Sequence, residues 1–140
     1  MEALDLQQHD YDCGPAALRA ALQLYGRQVQ HADLCRWAGT TAEKGTSAAG
    51  LKRALEHLAV PFSEYQSRSR SASWAWARRQ TSPVVLCFDA DQHWVLLMAG
   101  LGRRVLIFDP ELGVRVQGRA SFLKRWVTDG RVYGISLRRC

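Results

Sequence analysis

The feature that most constrains this chain is a change of hydrophobic period at Pro83. Before it, apolar residues recur three and four positions apart. After it, they gather into short runs rich in valine, leucine and isoleucine, separated by Asp/Gln or Gly/Arg turns. The first pattern belongs to helices that bury one stripe, the second to strands bounded by turn residues. A chain that switches once between them must pack a helical half against a mainly antiparallel sheet, an α+β layering.

The elements follow from the pattern. "GPAALRAALQLY", 14–25, has Pro at the first helical position, Leu18, Ala21, Leu22 and Tyr25 at helical spacing, and Gly26 as its stop. A shorter helix covers 31–39, and another 46–58, capped by Thr46 or Ser47. The polar stretch "SEYQSRSRSAS", 63–73, reads as a surface loop, and "WAWARR" after it as one helical turn. Strands are expected at "VVLCF", "HWVLLMAG", "RVLIFDP", "VRVQ" and "VYGISLR", with a helix at "SFLKRWV". At 140 residues, with no repeat or linker, 1–140 reads as a single domain able to bury its own core.

Several classes are excluded by composition. No apolar run approaches the roughly 20 residues needed to cross a bilayer, and "MEALDLQQ" lacks the apolar core of a signal peptide. The net charge of +6 attracts phosphate in principle. Its arginines, however, are scattered as Arg78-Arg79, Arg103-Arg104, Arg138-Arg139 and the "SRSRS" stretch, so no nucleic-acid groove is expected and no membrane partner. Cys13, Cys35, Cys87 and Cys140 are widely spaced with no Cys-x-x-Cys pair, which favours reduced thiols over a disulfide framework.

Chemistry enters at "QQHDYDCGPAALRAAL", 7–22, where Cys13 stands at a helix start. A thiol is nucleophilic as thiolate, and the positive end of a helix stabilises that anion. Taken alone, such a cysteine is also a small buried hydrophobe. A base is required, and among His9, His31, His57 and His93 the last is the candidate. It opens a strand after the turn "DADQ", whereas His31 and His57 read as surface residues. Asp109 ends the next strand, so an antiparallel pair joined by "GLGRR" carries both side chains to one sheet edge, where a carboxylate can orient an imidazole toward Cys13. Acyl transfer also needs oxyanion donors. A side-chain amide six residues before the nucleophile suits that role beside the backbone N–H of Cys13; Gln7 has that offset, with Gln8 its rival.

These residues resemble the C39 peptidases, papain-like cysteine proteases known as N-terminal domains of bacteriocin-exporting ABC transporters. The resemblance runs from Gln7 to about Leu137: "Q-x5-CGPAAL" for the glutamine and nucleophile, "KGTSAAGLKRALEHLAV" after the second helix, "HWVLL" for the histidine and "VLIFDPELG" for Asp-Pro-x-x-Gly. It implies a papain-like fold, with Cys13 as nucleophile, His93 as base, Asp109 as its orienter and Gln7 as oxyanion donor. It also implies cleavage of a peptide or protein substrate after Gly-Gly, with no cofactor. Trp94 and Trp76 are candidate walls of the channel that would select two small residues, although core packing is the stronger expectation for both.

Two settings fit. The chain ends near residue 140 with no membrane helix and no G-x4-GK[ST] P-loop, which favours a toxin domain of a larger secreted antibacterial effector, acting on a cytosolic protein of a rival bacterium and opposed by an immunity protein. The alternative is a stand-alone maturase that removes double-glycine leader peptides. Outside proteolysis, His9/Cys13 and His31/Cys35 share an i, i+4 spacing that could supply a tetrahedral zinc, and a catalytically inactive peptide-binding module is the remaining reading.

Overall fold

A computed structural model describes residues 4–89 and 93–138. The elements are, in order, α1 (Cys13–Tyr25), α2 (His31–Ala38), α3 (Ala48–His57), β1 (Phe62–Ser67), α4 (Arg70–Arg78), β2 (Val84–Phe88), β3 (His93–Leu101), β4 (Arg104–Asp109), β5 (Gly113–Gly118), α5 (Arg119–Trp126) and β6 (Val132–Leu137). The expected α+β layering is present. The strands form one antiparallel sheet in the order β1-β6-β2-β3-β4-β5.

Both faces of the central strands are covered. Val85 and Cys87 of β2 pack with Leu96, Phe108 and Ile135 under Leu18, Leu22, Leu34, Leu51 and Leu55 of α1, α2 and α3. Val84, Leu86 and Phe88 face the other way, with Val95, Leu97 and Ile107, toward Trp74 of α4 and Phe122 and Trp126 of α5. A strand buried on both sides reads in sequence as an unbroken apolar run, as "VVLCF" does. Burying each such side chain contributes roughly 1.5–3 kcal/mol, which makes the central strands a rigid base for whatever stands at their ends.

Two expectations for 63–78 are corrected. Residues 62–67 are a strand, paired along its length with β6. Its polar sequence fits an edge strand with only its Phe62, Tyr65 and Ser67 partly covered, so no apolar alternation announces it. Residues 70–78 form a helix of nine residues rather than one turn, started by Ser69, whose hydroxyl accepts the Ala72 N–H at 3.1 Å. Its end presses on β3: a Cβ on Gly100 would lie 1.7 Å from the Arg78 carbonyl oxygen, so only glycine lets the layers close there.

The other boundaries agree with the sequence pattern within two residues. Ser47, rather than Thr46, caps α3 by accepting the Gly50 N–H at 3.0 Å. Helix α1 begins at Cys13, so Pro15 falls within the first turn, where its missing N–H has no intrahelical partner to lose. Cys13, Cys35 and Cys87 are reduced thiols. Cys140, most of the turn before His93, and Arg139 of the last basic doublet lie outside the described residues.

Candidate active site

Cys13 is the first residue of α1, 6% exposed, with its sulfur at the start of β3. The Trp94 N–H donates to Cys13 Sγ at 3.4 Å, and the His93 ring lies within electrostatic reach of the same sulfur. As the first helical residue, Cys13 also has an N–H with no intrahelical acceptor, pointing out of the positive end of α1. Gly14 makes the close approach possible. A Cβ there would meet Thr46 Cβ at 2.9 Å and Trp94 Cδ1 at 3.2 Å.

The sheet brings His93 and Asp109 together as the sequence pattern implies. Leu96 pairs with Phe108, and one further step sets Asp109 beside Val95, making His93 its diagonal neighbour on the same face. His93 Nε2 and Asp109 Oδ1 are 2.8 Å apart, with side chains 12% and 3% exposed. Asp109 Oδ1 also accepts the Glu111 N–H at 2.9 Å. With Nε2 engaged, Nδ1 is the nitrogen left for the sulfur of Cys13.

This environment fixes the charges. Burial disfavours the imidazolium, but the hydrogen bonds and negative charge of Asp109 and Cys13 outweigh it and push the His93 pKa up to about 10. Burial likewise works against the Asp109 carboxylate, and His93, the Glu111 N–H and the charge of Arg125 still hold it below its ordinary range. At neutral pH, His93 therefore carries the proton that a leaving group would need.

Gln7 is half-buried and Gln8 exposed. The Gln7 N–H donates to the Pro110 carbonyl at 2.7 Å, tying this segment to the turn that follows Asp109. One hydrogen of its amide Nε2 goes to the His9 carbonyl at 2.7 Å, which fixes the amide plane and leaves the second hydrogen of Nε2 for another acceptor.

The sequence pattern does not reveal a second buried cluster directly ahead of Cys13. Asp12, 1% exposed, accepts the His9 N–H at 2.9 Å and faces His9 Nδ1 at 3.1 Å and His31 Nε2 at 3.0 Å. His31 is thus corrected from a surface residue: its side chain is 11% exposed and links α2 to the start of α1. His57 is exposed as expected, stacked on Trp37 with centroids 4.2 Å apart. The Asp12 side chain makes no helix cap because both of its oxygens are engaged elsewhere.

The zinc arrangement does not assemble. His9 and His31 meet on Asp12, whereas Cys13 faces β3. Among the described residues, only His93, Asp109 and Glu111 bring three donor atoms within 4.8 Å. There the two buried groups are bonded to each other, and we assign no metal to them.

A cleft of about 220 Å³ opens on Cys13, lined by Asp10, Tyr11, Glu43, Lys44, Thr46 and Trp94. Lys44, Gly45, Thr46 and Trp94 are shared with a larger groove of about 690 Å³, which runs on to Trp126, Arg131 and Tyr133. Trp94 therefore serves both readings made of it, as core residue and as wall, with its Nε1 donating to the Thr46 carbonyl at 2.8 Å. Trp76 is not a wall of either: it stacks on Tyr65 with centroids 3.9 Å apart, and Trp126 takes the place beside the groove.

The pattern of the Peptidase C39 family matches residues 2–129. The chain belongs to this family of cysteine proteases. It is 34% identical over 136 residues to the lactococcin-A transport/processing ATP-binding protein of Lactococcus lactis subsp. lactis, a match covering 94% of this chain and 18% of that relative. Among solved structures, the peptidase domain of Streptococcus ComA, described as a bi-functional ABC transporter involved in quorum sensing, superposes with a TM-score of 0.80 at 21% identity over the whole of both chains. A double glycine motif protease from an AMS/PCAT transporter, solved with the leader peptide, gives 0.78 at 18% identity, covering 96% of this chain and 91% of that one. These likenesses establish the C39 fold; the C39 chain described here spans about a fifth of the length of that transport protein.

Proposed function

We propose that this C39 chain is an endopeptidase that removes double-glycine leader peptides from bacteriocin-like precursors. The observation that carries the reading is the run of contacts from Asp109 through His93 to Cys13 at the end of a cleft. In this mechanism the Cys13 thiolate attacks the carbonyl carbon of the scissile bond. The oxyanion takes hydrogen bonds from the Cys13 N–H and the second amide hydrogen of Gln7. His93, oriented by Asp109, gives its proton to the departing amine, and water then hydrolyses the thioester, returning a proton to His93 and the thiolate to Cys13.

Support for a leader-peptide substrate comes from the transport and processing relative and from the leader-bound double glycine protease. It also comes from the cleft that opens on Cys13, with Trp94 and Thr46 among its walls. The larger groove beside it would take more of the leader. Precursors of this kind are made in the cytoplasm, and we place the site of action there. The effector-toxin setting has no counterpart among these relatives, so the maturase is the preferred reading.

The test uses purified wild type and Cys13→Ala with precursor peptides carrying Gly-Gly, Gly-Val or Val-Gly before the cut, with product termini mapped by mass spectrometry. A new terminus after Gly-Gly from wild type alone is expected. Equal products from both proteins, or indifference to the valine substitutions, would sink the reading. Growth arrest on cytosolic expression that requires Cys13 would instead favour the toxin.

A further inference from the structure

Beside Asp109 stands a second run of charge that the proposed mechanism does not use. Arg125 of α5 donates Nε to Asp89 Oδ1 at 3.0 Å and Nη2 to Asp89 Oδ2 at 2.5 Å, a two-pronged pair. The Asp89 N–H in turn donates to the Arg125 carbonyl at 2.8 Å, and the guanidinium lies over Phe88, 5.1 Å from the ring centroid. Its remaining nitrogen, Nη1, stands 3.8 Å from Asp109 Oδ2. That is too long for a hydrogen bond and close enough for an ion pair. The oxygen concerned is the one His93 does not hold, since His93 Nε2 and the Glu111 N–H both meet Oδ1.

We propose that Arg125 is a positioning residue for the catalytic carboxylate: fixed by Asp89 and Phe88, it keeps Asp109 ionised with Oδ2 turned toward α5 and Oδ1 left to His93. The inference rests on the roles given above to Cys13, His93 and Asp109. The geometry favours it because a planar guanidinium held on one edge and one face cannot swing away, whereas a free surface arginine would. The neighbouring residues support the same rigidity: Phe122 and Trp126 of α5 are fully buried. The charged groups around Asp109 are His93 of β3 and Arg125 of α5, which favour the carboxylate, and Asp89 after β2, which opposes it. Glu111, beyond β4, presents its N–H to Asp109 and its charge to Arg125.

Removing a cation raises the pKa of every acid beside it, so the sign is set in advance. Arg125→Gln, and Arg125→Met, which keeps the packing on Phe88, are expected to raise the acid limb of kcat/KM on a Gly-Gly peptide by roughly half to one pH unit. They are also expected to lower kcat more than they raise KM. Arg125→Lys retains the charge and is expected to stay within about 0.3 unit of wild type. In an Asp109→Asn background the shift should vanish, because the carboxylate through which Arg125 acts is gone. The 13Cγ resonance of Asp109 should titrate upward in the same variants, a readout that requires no turnover. Acid limbs and Asp109 titrations unchanged in both neutral variants, or a shift that survives Asp109→Asn, would overturn the proposal. A wild type that cleaves no Gly-Gly peptide would bring down the proteolytic reading instead, and the Asp109 titration would still decide the role of Arg125.

Discussion

Two buried aspartates stand near Cys13, the proposed nucleophile, and they are built from the same parts to different ends. Asp12, one residue before Cys13, and Asp109, at the end of β4, are 1% and 2% exposed, and each is hydrogen-bonded to histidine. Burial opposes ionisation in both, and in both the histidine and backbone N–H partners overcome it and hold the carboxyl below its ordinary range. The difference lies in what the imidazole does with its other nitrogen. His93 reaches on to a thiol that opens on a cleft, whereas His9 and His31 close on Asp12 from two sides, and among the described residues neither ring hydrogen-bonds onward. A buried Asp–His pair is thus no sign of catalysis in itself; the third partner decides whether it moves protons or holds helices together.

The largest effect should come from exchanging the two. Asp109→Asn is expected to cut kcat/KM by roughly 10²- to 10⁴-fold, through loss of the imidazolium's orienting charge, with a modest change in melting temperature. Asp12→Asn should do the reverse. It leaves a buried site with donors facing ring nitrogens and should lower stability by about 1–3 kcal/mol while the remaining folded enzyme keeps most of its kcat. Paired kinetic and urea measurements on both variants check this. Similar losses of activity from the two would erase the distinction.

Next in size is the effect expected at Gln7, the proposed oxyanion donor, which belongs to the same segment as Asp12. Gln7→Ala is expected to lower kcat by about 10²- to 10³-fold with KM little changed, the size found when one such donor is removed. Gln8→Ala, at an exposed position, should stay within about twofold of wild type. Steady-state kinetics on one Gly-Gly peptide compares them directly. A larger effect at Gln8 would move the donor by one residue.

The active half of this comparison was far more legible in the sequence than the structural half. Cys13 was marked by the Gly-Pro that follows it at a helix start, and His93 and Asp109 by strand ends on either side of a short turn, all local signals. Antiparallel pairing then supplied their meeting without further information. The Asp12–His31 contact joins residues 19 apart through the packing of α2 beside α1, and a histidine at a polar helix start carries no mark of it. Arg125 was hidden among 19 lysines and arginines, since its partners come from β2 and β4. Strand β1 and the first turn of helix α4 carry little mark in the sequence for a related reason: an edge strand held by backbone pairing, and a helix that buries Ser73 and Ala77 beside one tryptophan, need little hydrophobic periodicity.

The two clusters should also respond differently to pH. The folded pKa of His93, about 10, lies above its ordinary 6.5, so the stability it contributes is complete below about pH 6.5 and is lost as pH rises toward 10. Asp12 and Asp109 are shifted the other way, so their contribution is present above the ordinary carboxylate value of 3.8 and is lost as pH falls through their lower folded values. Urea midpoints measured from pH 6 to 10 should therefore decline in wild type and be much flatter in His93→Asn. An equal decline in both would show that the alkaline slope comes from elsewhere.

The smallest expected effects lie within the structural cluster, where two histidines share one carboxylate unequally. The His31 side chain is 11% exposed and that of His9 55%, although their ring nitrogens stand 3.0 and 3.1 Å from the same Asp12 oxygen. Solvent screens the second contact, and His9 keeps its backbone N–H on Asp12 whatever its side chain. His31→Ala should therefore lower stability by roughly 1–2 kcal/mol by leaving a buried carboxylate oxygen short of a donor and α2 untied from α1. His9→Ala should cost no more than a few tenths of that, chiefly the stacking of its ring on Tyr11. Denaturation midpoints of the two variants separate these outcomes. If His9→Ala proved the more damaging, the turn ahead of Cys13 would be held from its own segment, and the link to α2 would be incidental.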